Sequence, residues 1–253
     1  MSHDAGMQTP DRRVGLITAD PTPTLLALLA HTSVDFLVLD AEQTGVTVQQ
    51  CRDVVQWLAG SAVQVAVRVP DLQPNTLVAF ANAGVGEIVL PQVRSLDELE
   101  RAHEVTRYAP EGSRPRQASQ ASAFGMDYSR PPRITVLFET VEAVDRVEDF
   151  AASPVFGGGW VGPTDLADEL HRHRRMDPDA LENAIQSVVD VLSRAGHSVG
   201  LPASGIAGAA SVFTRGADRC AVYWERELAS MLTHYAASRE LQPQGVDDAS
   251  SIY

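Results

Sequence analysis

Lysine is absent from this sequence, and its absence excludes a class of chemistry. The chain has 253 residues, and its 20 strongly basic residues are all arginine. Without a side-chain amine the protein cannot form a Schiff base with a carbonyl substrate. This rules out the mechanisms of lysine-dependent aldolases and pyridoxal-phosphate enzymes. If the protein generates a carbanion, a group other than an iminium must accept the electrons.

Cysteine is scarce, and basic charge is outnumbered by acidic charge. Cys51 and Cys220 lie far apart at no metal or redox spacing, so we interpret both as small buried side chains. A net charge of -13 argues against a nucleic-acid partner, because such proteins need a basic surface.

Long hydrophobic runs are also missing. The run Leu25–Ala30 is far too short to span a bilayer, so we expect no membrane partner. No basic segment followed by an apolar core stands at the start, and we therefore expect no signal peptide. Together with the low cysteine content, this predicts a cytoplasmic protein.

The length suits one α/β domain, and the alternation of eight strands with helices described below predicts a (β/α)8 TIM barrel. A chain of this length with 44% hydrophobic and 21% charged residues is typical of a single barrel. We predict a disordered segment at 1–12, the catalytic barrel at 13–240 and a loose tail at 241–253.

Eight short and almost continuously apolar runs predict strands buried on both faces of a parallel sheet. They are Val14–Leu16, Phe36–Leu39, Val65–Val69, Glu87–Leu90, Ile134–Phe138, Trp160–Val161, Ser198–Leu201 and Cys220–Tyr223. Helical patterns alternate with them: Leu25–Ala30, Val48–Leu58, Thr76–Ala83, Leu96–Tyr108, Ala143–Phe150, Asp179–Ala195, Ala207–Arg215 and Glu225–Ala237. No Gly-x-Gly-x-x-Gly follows the first strand, which weakens the dinucleotide-binding alternative. Two long connections, 109–133 and 167–178, are predicted to be lids or binding loops.

Polar residues cluster where the predicted strands end, which is where this fold carries its catalytic groups. They are Asp40, Glu42, Gln43, Arg68, Gln92, Glu139 and the turn Gly162-Pro163-Thr164-Asp165. Several carboxylates without a pair of histidines favour a hard divalent metal such as Mg or Mn over zinc.

Six short segments follow one another in order along the chain: Asp40-Ala41-Glu42-Gln43, Val67-Arg68-Val69-Pro70, Leu90-Pro91-Gln92-Val93, Tyr108–Arg114, Phe138-Glu139-Thr140 and Val161–Leu166. Together they resemble the HpcH/HpaI aldolase family of class II, metal-dependent 2-oxo acid aldolases, typified by 4-hydroxy-2-oxoheptanedioate aldolase. The resemblance covers about residues 14–237.

The resemblance implies roles for particular residues. Glu139 and Asp165 would ligate Mg or Mn, with Co possible, and a small-molecule 2-oxo acid would chelate that metal. Arg68 would stabilise the enolate. The backbone around Gly162, Pro163, Thr164 and Asp165 would receive the substrate carboxylate, although proline has no N–H to donate. Relatives commonly form hexamers, so a homo-oligomer is expected.

The proton-transfer residues depart from the family pattern. The family's Glu-His pair reads Glu42-Gln43 here, and a glutamine amide does not shuttle protons near neutral pH. Glu42 either transfers a proton or only orients Arg68 or a metal-bound water. Arg68 itself is either the enolate-stabilising group or part of an ion pair with Asp40 or Glu42. His171 and His173 either supply the missing acid/base or belong to a solvated loop.

Three functions remain open at this stage. The first is a carbon–carbon lyase that cleaves aldols or decarboxylates a 2-oxo acid. The second is a biosynthetic enzyme that uses the same enolate for another bond formation, a hydration or an elimination. The third is a binding barrel without activity.

Overall fold

Eight parallel strands close into a barrel in the computed structural model, which describes residues 11–175 and 177–240. Each strand pairs with the next, and the last pairs with the first. The strands are β1 Arg13–Thr18, β2 Phe36–Asp40, β3 Gln64–Arg68, β4 Glu87–Leu90, β5 Arg133–Phe138, β6 Gly159–Val161, β7 Val199–Ala203 and β8 Arg219–Tyr223. The predicted (β/α)8 barrel is confirmed. Most of the segment 1–12 and the tail 241–253 lie outside the described residues.

Helices surround the barrel and bury their apolar faces against the strands. They are α1 Pro23–Ala30, α2 Val48–Trp57, α3 Pro74–Asn82, α4 Leu96–Thr106, α5 Val141–Asp145, α6 Val147–Ala152, α7 Pro163–Arg172, α8 Ala180–Arg194, α9 Gly205–Thr214 and α10 Trp224–Ala237, with 3-10 turns at Gln120–Gly125 and Ser238–Glu240. None of the described helices is both long and apolar enough to cross a membrane.

Helix α7 lies partly where the sequence predicts a loop, at 167–178, and this prediction is wrong. Its signals were present: Pro163 occupies the first turn, where a missing N–H does no harm, and Asp165 lies beside the positive end of the helix dipole. Leu166 and Leu170 are buried four residues apart on its inner face. The charged run that follows Leu166 obscured this pattern. The correction matters because it places Asp165 on a rigid element.

Large aromatic side chains fill the barrel interior opposite glycines. A Cβ on Gly15 would lie 2.2 Å from Phe36, and one on Gly200 would lie 2.4 Å from Trp160. Phe36 and Trp160 pack edge to face, with their ring centroids 5.6 Å apart. The interior cluster comprises Phe36, Val38, Ala66, Val89, Leu137, Trp160 and Ala221. This apolar layer separates the two ends of the barrel.

A buried ion-pair network closes the N-terminal end of the barrel around Glu87. Its Oε1 accepts hydrogen bonds from Arg219 Nη1 (2.9 Å), Trp160 Nε1 (3.0 Å) and Thr135 Oγ1 (2.9 Å). Its Oε2 accepts one from Arg133 Nη2 at 2.8 Å. Burial opposes the charge, but Arg219 and Arg133 outweigh it and lower the pKa of Glu87 to about 2.

The long connection between α4 and β5 runs at the N-terminal side of the barrel. Arg114 is buried there, donates to Asn82 Oδ1 at 2.6 Å and stacks over the Tyr108 ring. Gln120 Nε2 donates to the carbonyl of Arg52 on α2. None of these residues lines the cavity at the strand C-termini. The expectation that 109–133 forms a lid or binding loop of this chain's own site is therefore wrong.

Candidate active site

A cavity of about 770 Å3 opens at the C-terminal ends of the strands. Its floor is apolar and includes Val38, Val89, Leu137 and Trp160. Its polar lining comes from the loops that follow the strands. Of the residues predicted from the sequence, it is lined by Asp40, Gln43, Arg68, Gly162, Pro163, Thr164 and Asp165, whereas Glu42, Gln92 and Glu139 are not among the lining residues.

Arg68 is held at this rim by two carboxylates. Its Nε donates to Asp40 Oδ1 at 3.1 Å and its Nη2 to Asp40 Oδ2 at 2.6 Å. Its Nη1 lies 3.0 Å from Glu42 Oε2. Asp40 ends β2 opposite Arg68 in β3, so strand register places this pair. A guanidinium has five N–H groups, so Arg68 keeps donors for the cavity while its position is fixed.

Glu42 and Gln43 follow β2 in a turn organised by Asp40. The backbone N–H groups of both residues donate to Asp40 Oδ1. Burial raises the pKa of Glu42, Arg68 opposes this, and Asp40 and Asp165 add to it. Gln43 is exposed and contacts the cavity. Glu42 therefore supports Arg68 from the side, while Gln43 faces the space that a substrate would occupy.

Glu139 is fully buried at the end of β5, and only one of its carboxylate oxygens is satisfied. Oε1 accepts hydrogen bonds from the Gln92 backbone N–H at 2.7 Å and from Gln92 Nε2 at 3.0 Å. Oε2 is buried with no hydrogen-bond partner. Burial raises the pKa of Glu139 to about 8, with Glu42 and Asp165 adding to it and Gln92 and Arg68 opposing it. A buried acceptor without a partner is costly, and a cation beside Oε2 would offset that cost.

Gln92 is a residue of this site whose contact with Glu139 the sequence does not predict. It has a φ of 52°, in the left-handed region that non-glycine residues seldom occupy. This conformation directs both its backbone N–H and its amide at the same oxygen of Glu139. Backbone strain of this kind often occurs at functional sites, where the surrounding structure holds it.

Asp165 lies in the first turn of α7, beside Gly162. The Gly162 N–H already donates to the Phe138 carbonyl, so it is not available to a substrate carboxylate. The Thr164 and Asp165 amides belong to the helical turn in which backbone N–H groups lack an intrahelical acceptor. A Cβ on Gly162 would lie 3.0 Å from Glu139 Oε2, so a glycine keeps space open beside that oxygen.

A profile of the HpcH/HpaI aldolase/citrate lyase family matches residues 13–223. The chain belongs to this family. The family is one of carbon–carbon lyases, in agreement with the resemblance seen in the sequence.

Relatives in the HpcH/HpaI family share both sequence and fold with this chain. It is 31% identical to a 5-keto-4-deoxy-D-glucarate aldolase of Escherichia coli over 205 residues, which are 78% of this chain and 80% of the relative. The crystal structure of an HpcH/HpaI aldolase/citrate lyase family protein from Burkholderia cenocepacia is 25% identical. It superposes with a TM-score of 0.81 over 91% of this chain and 95% of that one. A citrate lyase beta subunit from M. tuberculosis, complexed with oxaloacetate and magnesium, shares the fold at 16% identity with a TM-score of 0.57, over 89% of this chain and 97% of that one.

The residues at the mouth of this HpcH/HpaI barrel suit a divalent cation. Glu42, Glu139 and Asp165 act on one another electrostatically, and Arg68 is the cation that opposes them at Glu139. The unpartnered Oε2 of Glu139 offers a hard oxygen donor, as Mg and Mn prefer. The donor set therefore fits the group that the family resemblance implies.

A second acidic cluster lies outside the cavity. In the described part of the chain, Glu142, Glu169 and His173 are the one set of three possible ligands within 4.8 Å of one another. Arg94 bridges Glu142 and Glu169, and Arg172 pairs with Glu169. These arginines supply the positive charge already, so we interpret this cluster as an ion-pair network.

No histidine is among the residues that line the described cavity. Helix α7 carries its first turn at the mouth and His171 and His173 at its far end, where His173 lies 3.4 Å from Glu169. The position of these two histidines favours the solvated-segment alternative over a role as the replacement acid/base.

Proposed function

We propose that this protein is a divalent-metal-dependent carbon–carbon lyase that stabilises the enolate of a small 2-oxo acid. One observation carries the proposal: a fully buried Glu139 whose free Oε2 lies near the carboxylates of Glu42 and Asp165, an arrangement that a cation would stabilise. The absence of lysine supports it, because the chain has no side-chain amine with which to stabilise a carbanion by an iminium.

Glu139 and Asp165 are the side chains proposed to hold Mg or Mn, with Co as a possible substitute. When bound, such a cation supplies Lewis-acid stabilisation of negative charge on the substrate. The magnesium and oxaloacetate bound by the M. tuberculosis relative support this choice of ligand class. Gln92 fixes the direction of Glu139, and the glycine at 162 leaves the space beside it open.

Arg68 is proposed to donate hydrogen bonds to the oxygen on which enolate charge develops. Asp40 and Glu42 fix its guanidinium before substrate arrives, so little reorganisation is needed during the reaction. The first-turn amides of α7, at Thr164 and Asp165, are proposed to receive the substrate carboxylate. Pro163 shapes that turn without donating.

Gln43 favours decarboxylation over retro-aldol cleavage within this chemistry. Retro-aldol cleavage needs a base to remove a hydroxyl proton, and the amide of Gln43 does not serve. Loss of CO2 from a 2-oxo acid with a carboxylate at C3 leaves the electron pair of the broken bond on the enolate. That step needs no base, and protonation of the enolate at C3 then gives the product.

Both reactions are to be assayed with Mg or Mn by coupling pyruvate release to lactate dehydrogenase. The substrates are oxaloacetate and a 4-hydroxy-2-oxo acid. We expect enzyme-dependent turnover of oxaloacetate at least, and a loss of about a hundredfold or more in Glu139→Gln because the charge that holds the metal is removed. Glu100→Gln, an exposed carboxylate on α4, is the matched control and should retain activity.

Three outcomes would contradict the proposal. Equal turnover in wild type and Glu139→Gln would refute the proposed metal site. No turnover, together with no metal-dependent binding of pyruvate or oxalate by calorimetry, would favour a binding barrel. Metal-dependent oxalate binding without either reaction would point to the biosynthetic alternative.

We also propose that the protein is a homo-oligomer. The expectation comes from the family resemblance, and helix α10 supports it. None of the residues of α10 is buried, although Leu228, Met231, Leu232 and Tyr235 recur on one face at helical spacing.

A further inference from the structure

The cavity extends well beyond the residues assigned to the enolate. A volume of about 770 Å3 is in the range of pockets that hold drug-sized ligands, far more than a three-carbon acid fills. Glu139 and Asp165 stand after β5 and β6. Another part of the wall comes from the ends of β7 and β8: Ser204 follows β7, Tyr223 is the last residue of β8, and Glu225 and Arg226 follow it.

Arg226 is the cavity-lining cation whose charge is not neutralised. Arg68, the other arginine of the lining, is paired with Asp40 and Glu42. Across the described residues, no carboxylate lies within 4.0 Å of the Arg226 guanidinium. The adjacent Glu225 is not its ion-pair partner; Glu225 Oε1 accepts hydrogen bonds from Thr18 and from the backbone N–H groups of the β1–α1 loop.

Tyr223 holds this guanidinium at the wall. The Arg226 guanidinium carbon lies 4.6 Å from the centroid of the Tyr223 ring, which is a cation–π contact. Tyr223 ends β8, is partly buried and lines the cavity. Its hydroxyl lies within electrostatic range of Arg68, Asp40 and Asp165 as well as of Arg226. The Tyr223 side chain therefore contacts Arg226 and also lies near Arg68, Asp40 and Asp165 of the proposed enolate site.

We infer that Arg226, positioned by Tyr223, is a specificity-determining residue that binds a second, distal carboxylate of the substrate. A planar guanidinium with free donors matches a carboxylate in a two-point hydrogen-bonded fork. The inference rests on the proposed function for the orientation of the substrate: its 2-oxo acid end lies at Arg68, and its distal end lies at Arg226. The preferred substrates are then dianionic 2-oxo acids rather than acids with a neutral tail.

Calorimetric titration of the Mn-loaded protein tests this inference. The probes are 2-oxoglutarate and 2-oxoadipate, each compared with a 2-oxo acid whose tail ends in methyl, namely 2-oxopentanoate and 2-oxohexanoate. We expect wild type to bind at least one diacid about tenfold more tightly than its neutral counterpart. In Arg226→Gln the preference should fall to about twofold or less, while pyruvate affinity stays the same. Arg226→Lys should retain part of the preference.

Arg130→Gln is the matched control. Arg130 lies three residues before β5 begins, at the opposite end of the barrel, and its side chain is 85% exposed. This variant should keep the full diacid preference. A preference that persists in Arg226→Gln, or that wild type never shows, overturns the inference.

Failure of the proposed function would give a different pattern. If Mn-loaded wild type does not bind pyruvate, the enolate site is refuted. Glutarate, which has two carboxylates but no 2-oxo group, then tests Arg226 by itself. Glutarate binding that weakens in Arg226→Gln but not in Arg130→Gln supports the distal carboxylate site. Glutarate binding that is absent in wild type, or unaffected by Arg226→Gln, overturns it.

Discussion

At the scale of single residues, the site depends on a strained glutamine that directs a buried glutamate. Gln92 adopts a φ of 52° and donates two hydrogen bonds to Glu139 Oε1, leaving Oε2 free. Left-handed backbone at a non-glycine residue costs about 1–3 kcal/mol. The conformation that directs Gln92 at Glu139 therefore lowers the stability of the fold.

Gln92→Gly separates these two effects. Glycine relieves the strain and keeps the backbone N–H, but it removes the side-chain amide. We expect the unfolding free energy to be unchanged or up to about 1 kcal/mol higher. We expect Mn affinity to fall by roughly tenfold or more, as when other groups that orient a metal ligand are removed. Thermal denaturation and Mn titration measure the two quantities. Unchanged Mn affinity in a stable Gln92→Gly variant would show that the amide does not position Glu139.

Sequence reasoning reached some of these residues and not others. Asp40, Glu42 and Arg68 follow adjacent parallel strands, so an ion pair among them was among the alternatives, and the structure shows it. The role of Gln92 depends on a backbone dihedral angle and on contact with a strand 47 residues away, which no local pattern reveals. Likewise, no local pattern shows that the Gly162 N–H donates to the Phe138 carbonyl, because this hydrogen bond results from strand pairing.

At the scale of secondary-structure elements, buried parallel strands were predictable because both of their faces are apolar. The predicted strand limits agree with those observed to within two residues. Helix α7 was missed because Asp168, Glu169 and Arg172 interrupt its short apolar face. The strand ends themselves are joined across the barrel by Glu87, which links β4 to β5, β6 and β8.

The Glu87 network makes stability depend on acidic pH. The folded pKa of about 2 lies below the ordinary value of 4.5, so the stabilisation is complete above that value and is lost as pH falls from about 4.5 toward 2. The shift corresponds to about 3 kcal/mol. Glu87→Gln should lower the unfolding free energy near neutral pH by about 3–5 kcal/mol, because it leaves the buried Arg219 unpaired.

Urea denaturation at pH 7 and pH 3 measures this prediction. The difference in unfolding free energy between wild type and Glu87→Gln should be smaller at pH 3 than at pH 7. Glu100→Gln, an exposed carboxylate on α4, should follow wild type at both values. A constant difference across this range would show that Glu87 does not carry the pH dependence.

At the scale of the whole molecule, helix α10 distinguishes a lone barrel from an assembly. Met231, Leu232 and Tyr235 are 58%, 53% and 78% exposed, far more than a helix packed on its own barrel would leave uncovered. A stripe of this kind is typical of an interface, and a closed symmetric assembly would bury it against a second copy. The helical spacing of Leu228, Met231, Leu232 and Tyr235 can be read from a single sequence, but the surface that covers this apolar stripe cannot.

Light scattering after size exclusion tests the assembly. We expect wild type to have a mass several times the 27.2 kDa of one chain, and Leu232→Asp to shift the population toward that single-chain mass because a charge in an apolar interface is costly. Ser230→Asp adds the same charge to an exposed position on α10 outside the stripe and should leave the assembly intact. A wild-type protein that is monomeric at micromolar concentration would refute the oligomer. The cavity of the single chain would then be the complete active site.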